Sequence, residues 1–217
     1  MNKQFLTIFI FLLGFKCNFI FAQNATDSMV NPLSSYSAIW ADKKYSESNT
    51  AIQAQYLSEE EKKVIWVLNM IRQNPQLFLK TVLLNPKCHY YVKAEKRDFY
   101  FNSLITKLKT MKPINSLLLP DSAAFISARC HAVQSGKNGI IGHDRLDSGC
   151  EKDFHGECCD YGNSDALDIL LNLLIDRGIP ELGHRVICLS DSYQKLGVSI
   201  QSHTVYRINT VLDFKWP

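Results

Sequence analysis

The sequence contains no His-Glu-x-x-His, no Gly-x-Ser-x-Gly and no Cys-x-x-Cys. These absences remove the helix-borne zinc-protease motif, the serine-hydrolase nucleophile elbow and the paired-thiolate zinc site. There is no basic block and no interleaving of basic and aromatic residues, so nothing points to nucleic acid. Net charge is only +3, and removing Lys3 and Lys16 leaves it near neutral. Such balance gives no electrostatic reason to expect a membrane surface as partner. Beyond the N-terminus no stretch is long and apolar enough to cross a bilayer, so no transmembrane segment is expected. Internal repeats and low-complexity tracts are also missing.

The start of the chain reads as an export signal. Met1-Asn2-Lys3 is short and basic, Phe5 to Phe15 is almost wholly apolar, and Phe21-Ala22-Gln23 closes the segment. Residues 1–22 are therefore assigned to a signal peptide, cleaved near Ala22. Lys16 breaks the apolar run, and directly before Cys17 it does not fit a lipobox, which argues against a lipid anchor. The expected location is secreted, periplasmic or otherwise extracellular. Asn24-Ala25-Thr26 is a glycosylation sequon in a eukaryotic host.

Cysteine usage agrees with export. Of seven cysteines one lies in the signal, leaving Cys88, Cys130, Cys150, Cys158, Cys159 and Cys188. An even set in an oxidising compartment predicts three disulfides. Adjacent Cys158 and Cys159 are expected to reach two different partners rather than each other, with Cys150 and Cys188 the near choices.

Residues 23–56 have a polar texture with few periodic apolars and read as a linker, or an arm laid on the domain that follows at 57–217. Ser58 with Glu61 forms a capping box, and Val64, Ile65, Leu68 and Ile71 recur at helical spacing. Asn74-Pro75 breaks this helix and can start another through Phe78, Leu79 and Val82. A small-residue helix is expected from Asp121 to about Ser135, closed by Gly136. A fourth is expected at Asp165 to Asp176, with an apolar stripe of Leu167, Leu170, Leu171 and Leu174. The Leu117-Leu118-Leu119 run and these leucines read as core rather than as a lipid groove. Residues 195–200 and 204–214 read as a β-hairpin turning at Gln201-Ser202-His203. Helices first and an antiparallel hairpin last predict an α+β fold.

Three short segments carry the chemistry: Gly142-His143-Asp144-Arg145, His155-Gly156-Glu157 and Gly183-His184-Arg185. If folding brings them together, His143, Glu157 and His184 form a site for a divalent metal or for proton handling. The competing structural reading makes both histidines loop stabilisers bonded to Glu157 and backbone. On a strand, His155 would share a face with Glu157, although an exposed strand-edge histidine is the commoner case. His131 reads as a packed or capping residue, and His89 and His203 as surface. Asp144 and Arg145 either orient His143 or pair at the surface, and Arg185 either meets an acidic ligand or Asp176 or pairs at the surface.

The ordered set resembles the CAP superfamily (cysteine-rich secretory proteins, antigen 5, pathogenesis-related proteins; the SCP domain), in its bacterial form. The resemblance spans roughly residues 60–215. It is carried by Leu68-Asn69-Met70-Ile71-Arg72, by the helix Ser122 to Val133 with His131, and by Gly142-His143-Asp144. Gly156-Glu157 with Tyr161-Gly162, Gly183-His184-Arg185, Leu196-Gly197-Val198 and Asp213-Phe214 complete it. Two departures stand out: Cys158 replaces the usual Asn after Gly-Glu, and the tryptophan common before the second histidine is replaced by Leu173 or Leu174. The resemblance implies a three-layer α-β-α sandwich with a central antiparallel sheet. It also implies a cleft of two histidines and one or two acids that holds zinc or another divalent ion in some members. The second acid would be Asp176 or Glu181. The function expected is therefore an exported binding module for a lipid, glycan, peptide or protein partner, able to hold a divalent cation. The alternatives are a metal-assisted hydrolase with Glu157 as base, or a purely structural secreted domain.

Overall fold

A computed structural model of the protein describes residues 29–90, 99–146 and 149–217. The expected signal peptide, Cys17 and the Asn24 sequon lie outside the described residues.

Ser37 and Asp42 cap two short elements, a 3-10 turn Ala38–Ala41 and helix α1, Lys43–Ser46. Leu33, Trp40, Tyr45 and Ala51 from this polar-looking stretch are buried in the main core, and Trp40 Nε1 donates to Thr81 Oγ1 at 3.0 Å. The capping box predicted at Ser58 is formed and opens α2, Glu59–Gln73. Val64, Ile65, Val67, Leu68 and Ile71 of α2 are fully buried, each worth about 1.5–3 kcal/mol relative to exposure. Asn74 caps α3, Pro75–Phe78, with proline at its first turn, and the chain continues as a π turn, Leu79–Leu83. Helix α4, Phe99–Thr110, was not anticipated, although Phe101, Leu104 and Leu108 are its buried stripe.

Strand β1 is only Leu119–Pro120, after which Asp121 caps α5, Ser122–Asn138. This helix does not close at Gly136 as expected; it runs on to Asn138 and ends at left-handed Gly139. Gly136 serves close packing instead, since a Cβ there would sit 2.1 Å from the Ser202 carbonyl oxygen. Strand β2 (Gly156–Tyr161), α6 (Ala166–Ile175) and α7 (Gly183–Cys188) follow, then β3 (Lys195–His203) and β4 (Arg207–Lys215). The hairpin turns at 204–206 rather than 201–203, because Gln201, Ser202 and His203 remain paired to β4.

The class is α+β, with sheet order β1-β3-β4-β2. The sheet is mixed rather than wholly antiparallel, because β1 adds a short parallel edge to β3. Register then decides which residues face which layer, since side chains alternate along a strand. Glu157 lies opposite Asp213, Asp213 opposite Gly197, and Cys159 opposite Val211. This face meets α5, whose Ala128 and Ala132 pack on Cys159 and Val211. Gly197 lets the helix lie directly on β3: a Cβ there would be 2.1 Å from Phe125 N. The other face carries Cys158, Leu196, Val198, Leu212 and Phe214 into the main core. There α2 packs on β3, and α6 and α7 pack on β2.

Candidate functional site

On the α5 face, a buried ionic cluster forms under the loop that follows α5. Glu157 from β2 and Asp213 from β4 lie side by side in register. The Arg145 guanidinium inserts between them, pairing with Glu157 Oε2 and, at 3.3 Å, with Asp213 Oδ2. Arg145 Nη1 donates to the Ser127 carbonyl at 2.9 Å, and Ser127 Oγ donates to Asp213 Oδ2 at 2.6 Å. The side chains of Arg145, Glu157 and Asp213 are 3%, 3% and 0% exposed, so this is not the surface pairing considered for Arg145. Burial, followed by the charge of Glu157, raises Asp213 well above the ordinary carboxylate range. Burial also pushes Glu157 upward, but the His143 hydrogen bond and the charges of His131 and Arg145 outweigh it and hold Glu157 low. The two carboxyl groups on one arginine are thus pushed apart, Glu157 toward the ionised form and Asp213 toward the protonated one.

Glu157 Oε1 meets His143 Nδ1 at 2.9 Å, and that hydrogen bond raises the histidine pKa. The His143 side chain itself is 55% exposed. Across the cleft α6 ends in Asp176, a non-glycine residue in the left-handed region with φ 58°. This turn aims its carboxylate at α7: Oδ1 meets His184 Nδ1 at 2.8 Å and Oδ2 accepts from the Arg185 amide at 3.2 Å. The two imidazole centres are 6.2 Å apart. His143, Asp176 and His184 line a cleft of about 380 Å³ walled by Ile141, Tyr161, Leu173 and Ile179. Each histidine therefore has Nδ1 committed to a carboxylate, leaving Nε2 as the nitrogen open to a ligand. This is the outer-carboxylate arrangement that fixes the tautomer of metal-binding histidines.

The three sequence segments do converge, while other candidates separate. Glu181 is exposed and does not line the cleft, so Asp176 is the acid beside His184. His155 is exposed and stacks on Trp216 with ring centres 3.9 Å apart. Asp144 and His89 are exposed. His203, expected at the surface, is buried: its Nδ1 accepts from Val205 N and Tyr206 N, and its Nε2 meets the Ile140 carbonyl at 3.1 Å. It caps the hairpin turn, a role that becomes visible only once the turn is placed after it. Arg185 is buried too, and its guanidinium donates to the carbonyls of Leu174, Ile175 and Tyr100, so it is structural rather than a surface or ligand-binding group. Asn69 and Arg72 likewise hold backbone: Asn69 bonds Leu118 and Ser48, and Arg72 donates to the Tyr193 carbonyl.

Among the described residues the disulfide is Cys130–Cys150, which ties α5 to the loop bearing His143 and Arg145. Cys150 is therefore not a partner of the adjacent pair. Strand alternation sends Cys158 into the main core beside Cys188 and Cys159 toward α5, each as a buried thiol. Cys88 is buried as well. His131, Glu157 and Cys159 offer donor atoms within 4.8 Å of one another and could hold a metal ion. Sequence reading placed His131 as packed, and it does donate from Nε2 to the Gly142 carbonyl at 2.9 Å. No local sequence signal marks it as lying over Glu157, whose Oε1 is 3.9 Å from its Nε2. Among the described residues no helix is long and apolar enough to cross a membrane. No family model matches the chain, and no curated protein or solved structure matches it.

Proposed function

We propose that the chain is an exported binding module of the CAP type, whose His143–His184 cleft holds a divalent cation and a small ligand. The observation that carries this reading is the paired orientation of the two histidines. Each Nδ1 is bonded to its own carboxylate, at 2.9 Å and 2.8 Å. The imidazole centres are 6.2 Å apart, about 1 Å wider than the ~5 Å expected for two rings on one tetrahedral ion with Zn–N bonds of about 2.0–2.1 Å, so binding would draw the half-exposed His143 inward. A bound Zn²⁺ would supply a positive centre with open positions for an anionic or carbonyl group. His143 and His184 would hold it, while Glu157 and Asp176 set their tautomers. Glu157 is engaged by His143 and Arg145 together, which supports an orienting role over that of a free general base. Apolar and aromatic walls beside the histidines suit a ligand with an apolar part, at a volume within the usual range for small-ligand sites. Export is supported by the disulfide and the signal-like start.

Metal analysis and calorimetry of the purified protein test this reading. Zn²⁺ should bind at micromolar levels, His143→Ala should abolish that binding, and His184→Ala should abolish whatever binding persists in Cys159→Ser. Wild-type protein that retains no metal, or variants that retain all of it, would remove the proposal.

A further inference from the structure

Behind the histidine pair lies a second donor set with different chemistry. Cys159 projects from β2 toward α5 and lines the cleft wall. Its Sγ is 3.8 Å from His143 Nδ1. His131 Nε2 is 3.9 Å from Glu157 Oε1, which is itself 2.9 Å from His143 Nδ1. Around a tetrahedral ion with M–N and M–O near 2.0–2.2 Å and M–S near 2.3 Å, neighbouring donors stand roughly 3.3–3.8 Å apart. His131, Glu157 and Cys159 offer donor atoms within 4.8 Å of one another, and His143 Nδ1 stands beside two of them, Cys159 and Glu157, so side-chain rotation is what brings it in as the fourth corner. The donors are one sulfur, two imidazole nitrogens and one carboxylate oxygen. That set suits a borderline or soft cation and lacks the oxygens that Ca²⁺ or Mg²⁺ requires.

We propose that Cys159, His131, Glu157 and His143 through Nδ1 form an inner, thiolate-containing site for a thiophilic divalent cation such as Zn²⁺. It shares His143 with the outer pair but uses the opposite ring nitrogen. Binding forms one metal–sulfur bond and releases the Cys159 thiol proton to solvent. His143 and His131 keep one ring proton each and change tautomer. The His143 proton moves to Nε2, and the His131 proton moves to Nδ1, which now has no hydrogen-bond partner. The ion takes the place of the proton between His143 and Glu157 Oε1, while Arg145 stays on Glu157 Oε2. The half-exposed His143 and the cleft beyond it give the ion a route in. The inner and outer positions are alternatives, because one imidazole cannot remain protonated on Nδ1 and bind through it.

Cobalt loading of the full exported chain separates the two. Co²⁺ bound at the inner site gives an intense near-ultraviolet thiolate charge-transfer band together with tetrahedral visible bands. That signature is expected in wild type and in His184→Ala. It should vanish in Cys159→Ser, with Co²⁺ affinity falling more than about 100-fold, beyond the 10–100-fold usual for outer partners. Zn²⁺ should also slow alkylation of Cys159 in the wild-type protein, mapped by mass spectrometry, which needs no variant to fold. Co²⁺ binding that lacks the thiolate band and is lost in His184→Ala overturns the inner site and leaves the outer pair standing. A thiolate band that survives Cys159→Ser assigns the metal to another cysteine and overturns the proposal. A band unaffected by His184→Ala upholds the inner site, Co²⁺ that still binds without the band in Cys159→Ser upholds the outer pair as its alternative, and no Co²⁺ binding at all removes both.

Discussion

The Arg145 cluster predicts a strong non-additivity. Arg145 is buried between Glu157, which is ionised, and Asp213, which holds the shared proton. Asp213→Asn removes a group that is already neutral, so its cost at pH 7 should stay below about 1 kcal/mol. Glu157→Gln deletes the charge, and with it the largest contribution after burial to keeping Asp213 protonated. Asp213, held by Arg145 and Ser127 Oγ, then ionises and restores the balance. That variant should lose only about 1–2 kcal/mol, mainly in hydrogen bonding. The double variant leaves a guanidinium that is 3% exposed with no counter-charge, a situation that typically costs about 3–5 kcal/mol or more. The coupling should therefore be about 1–3 kcal/mol, within the range for residues in one network. Urea denaturation at pH 7 reads it directly: with a slope near ~2 kcal/mol/M, the double variant's midpoint falls by roughly 2 M. Adding Arg145→Met to the double variant should recover most of the loss, because the orphaned charge is gone. Additive single effects, or a triple variant no better than the double, would refute the shared-proton account.

Two further outcomes test the packing and the pH response. Gly197→Ala should destabilise by more than about 3 kcal/mol, because the new Cβ meets helix backbone at Phe125 N and Ala124 C, which cannot rotate away. Gly183→Ala, where nothing lies within 4 Å, should change stability by less than about 1 kcal/mol, so thermal melts of the two variants must differ clearly. Asp160 is fully buried, and burial raises it from 3.8 to about 6 despite hydrogen bonds from Asn172 and Asn163. The folded protein therefore holds a proton the unfolded chain has released. This contribution, roughly 3 kcal/mol, is complete below pH ~4 and is lost as pH rises through about 6. Asp160→Asn should flatten the stability profile across that window, and a variant profile parallel to wild type would contradict the assignment.

The local part of the fold was readable because its signals are local. The Ser58 capping box, the Pro75 restart and the Asp121 cap each depend on residues a turn apart. Gly136 misled for the same reason: within a helix it looks like a stop, and only contact with Ser202, 66 residues later, shows it to be a spacer. Of the site, the convergence of His143, Glu157 and His184 was expected only through the family resemblance, since no local signal joins segments so far apart in the chain. Arg145 filling the space between two carboxylates did not, nor did the burial of Arg185. Both depend on which strand or helix lies alongside, and a long charged side chain shows no sequence mark of being buried. The choice of Asp176 over Glu181 rested on a left-handed helix end that the sequence Asp-Arg-Gly only hints at.

The Cys158-Cys159 pair places chemically identical sulfurs one residue apart on opposite sides of a single strand. One lies against the cleft wall and the other in the interior beside Cys188. A thiol reagent is therefore a two-channel clock. Cys159 reacts at the rate at which the wall under the α5 loop breathes, whereas Cys158 waits for the helices on the far side to part. The ratio of the two rates measures how much looser the cleft is than the body that carries it, without any probe being added to the chain.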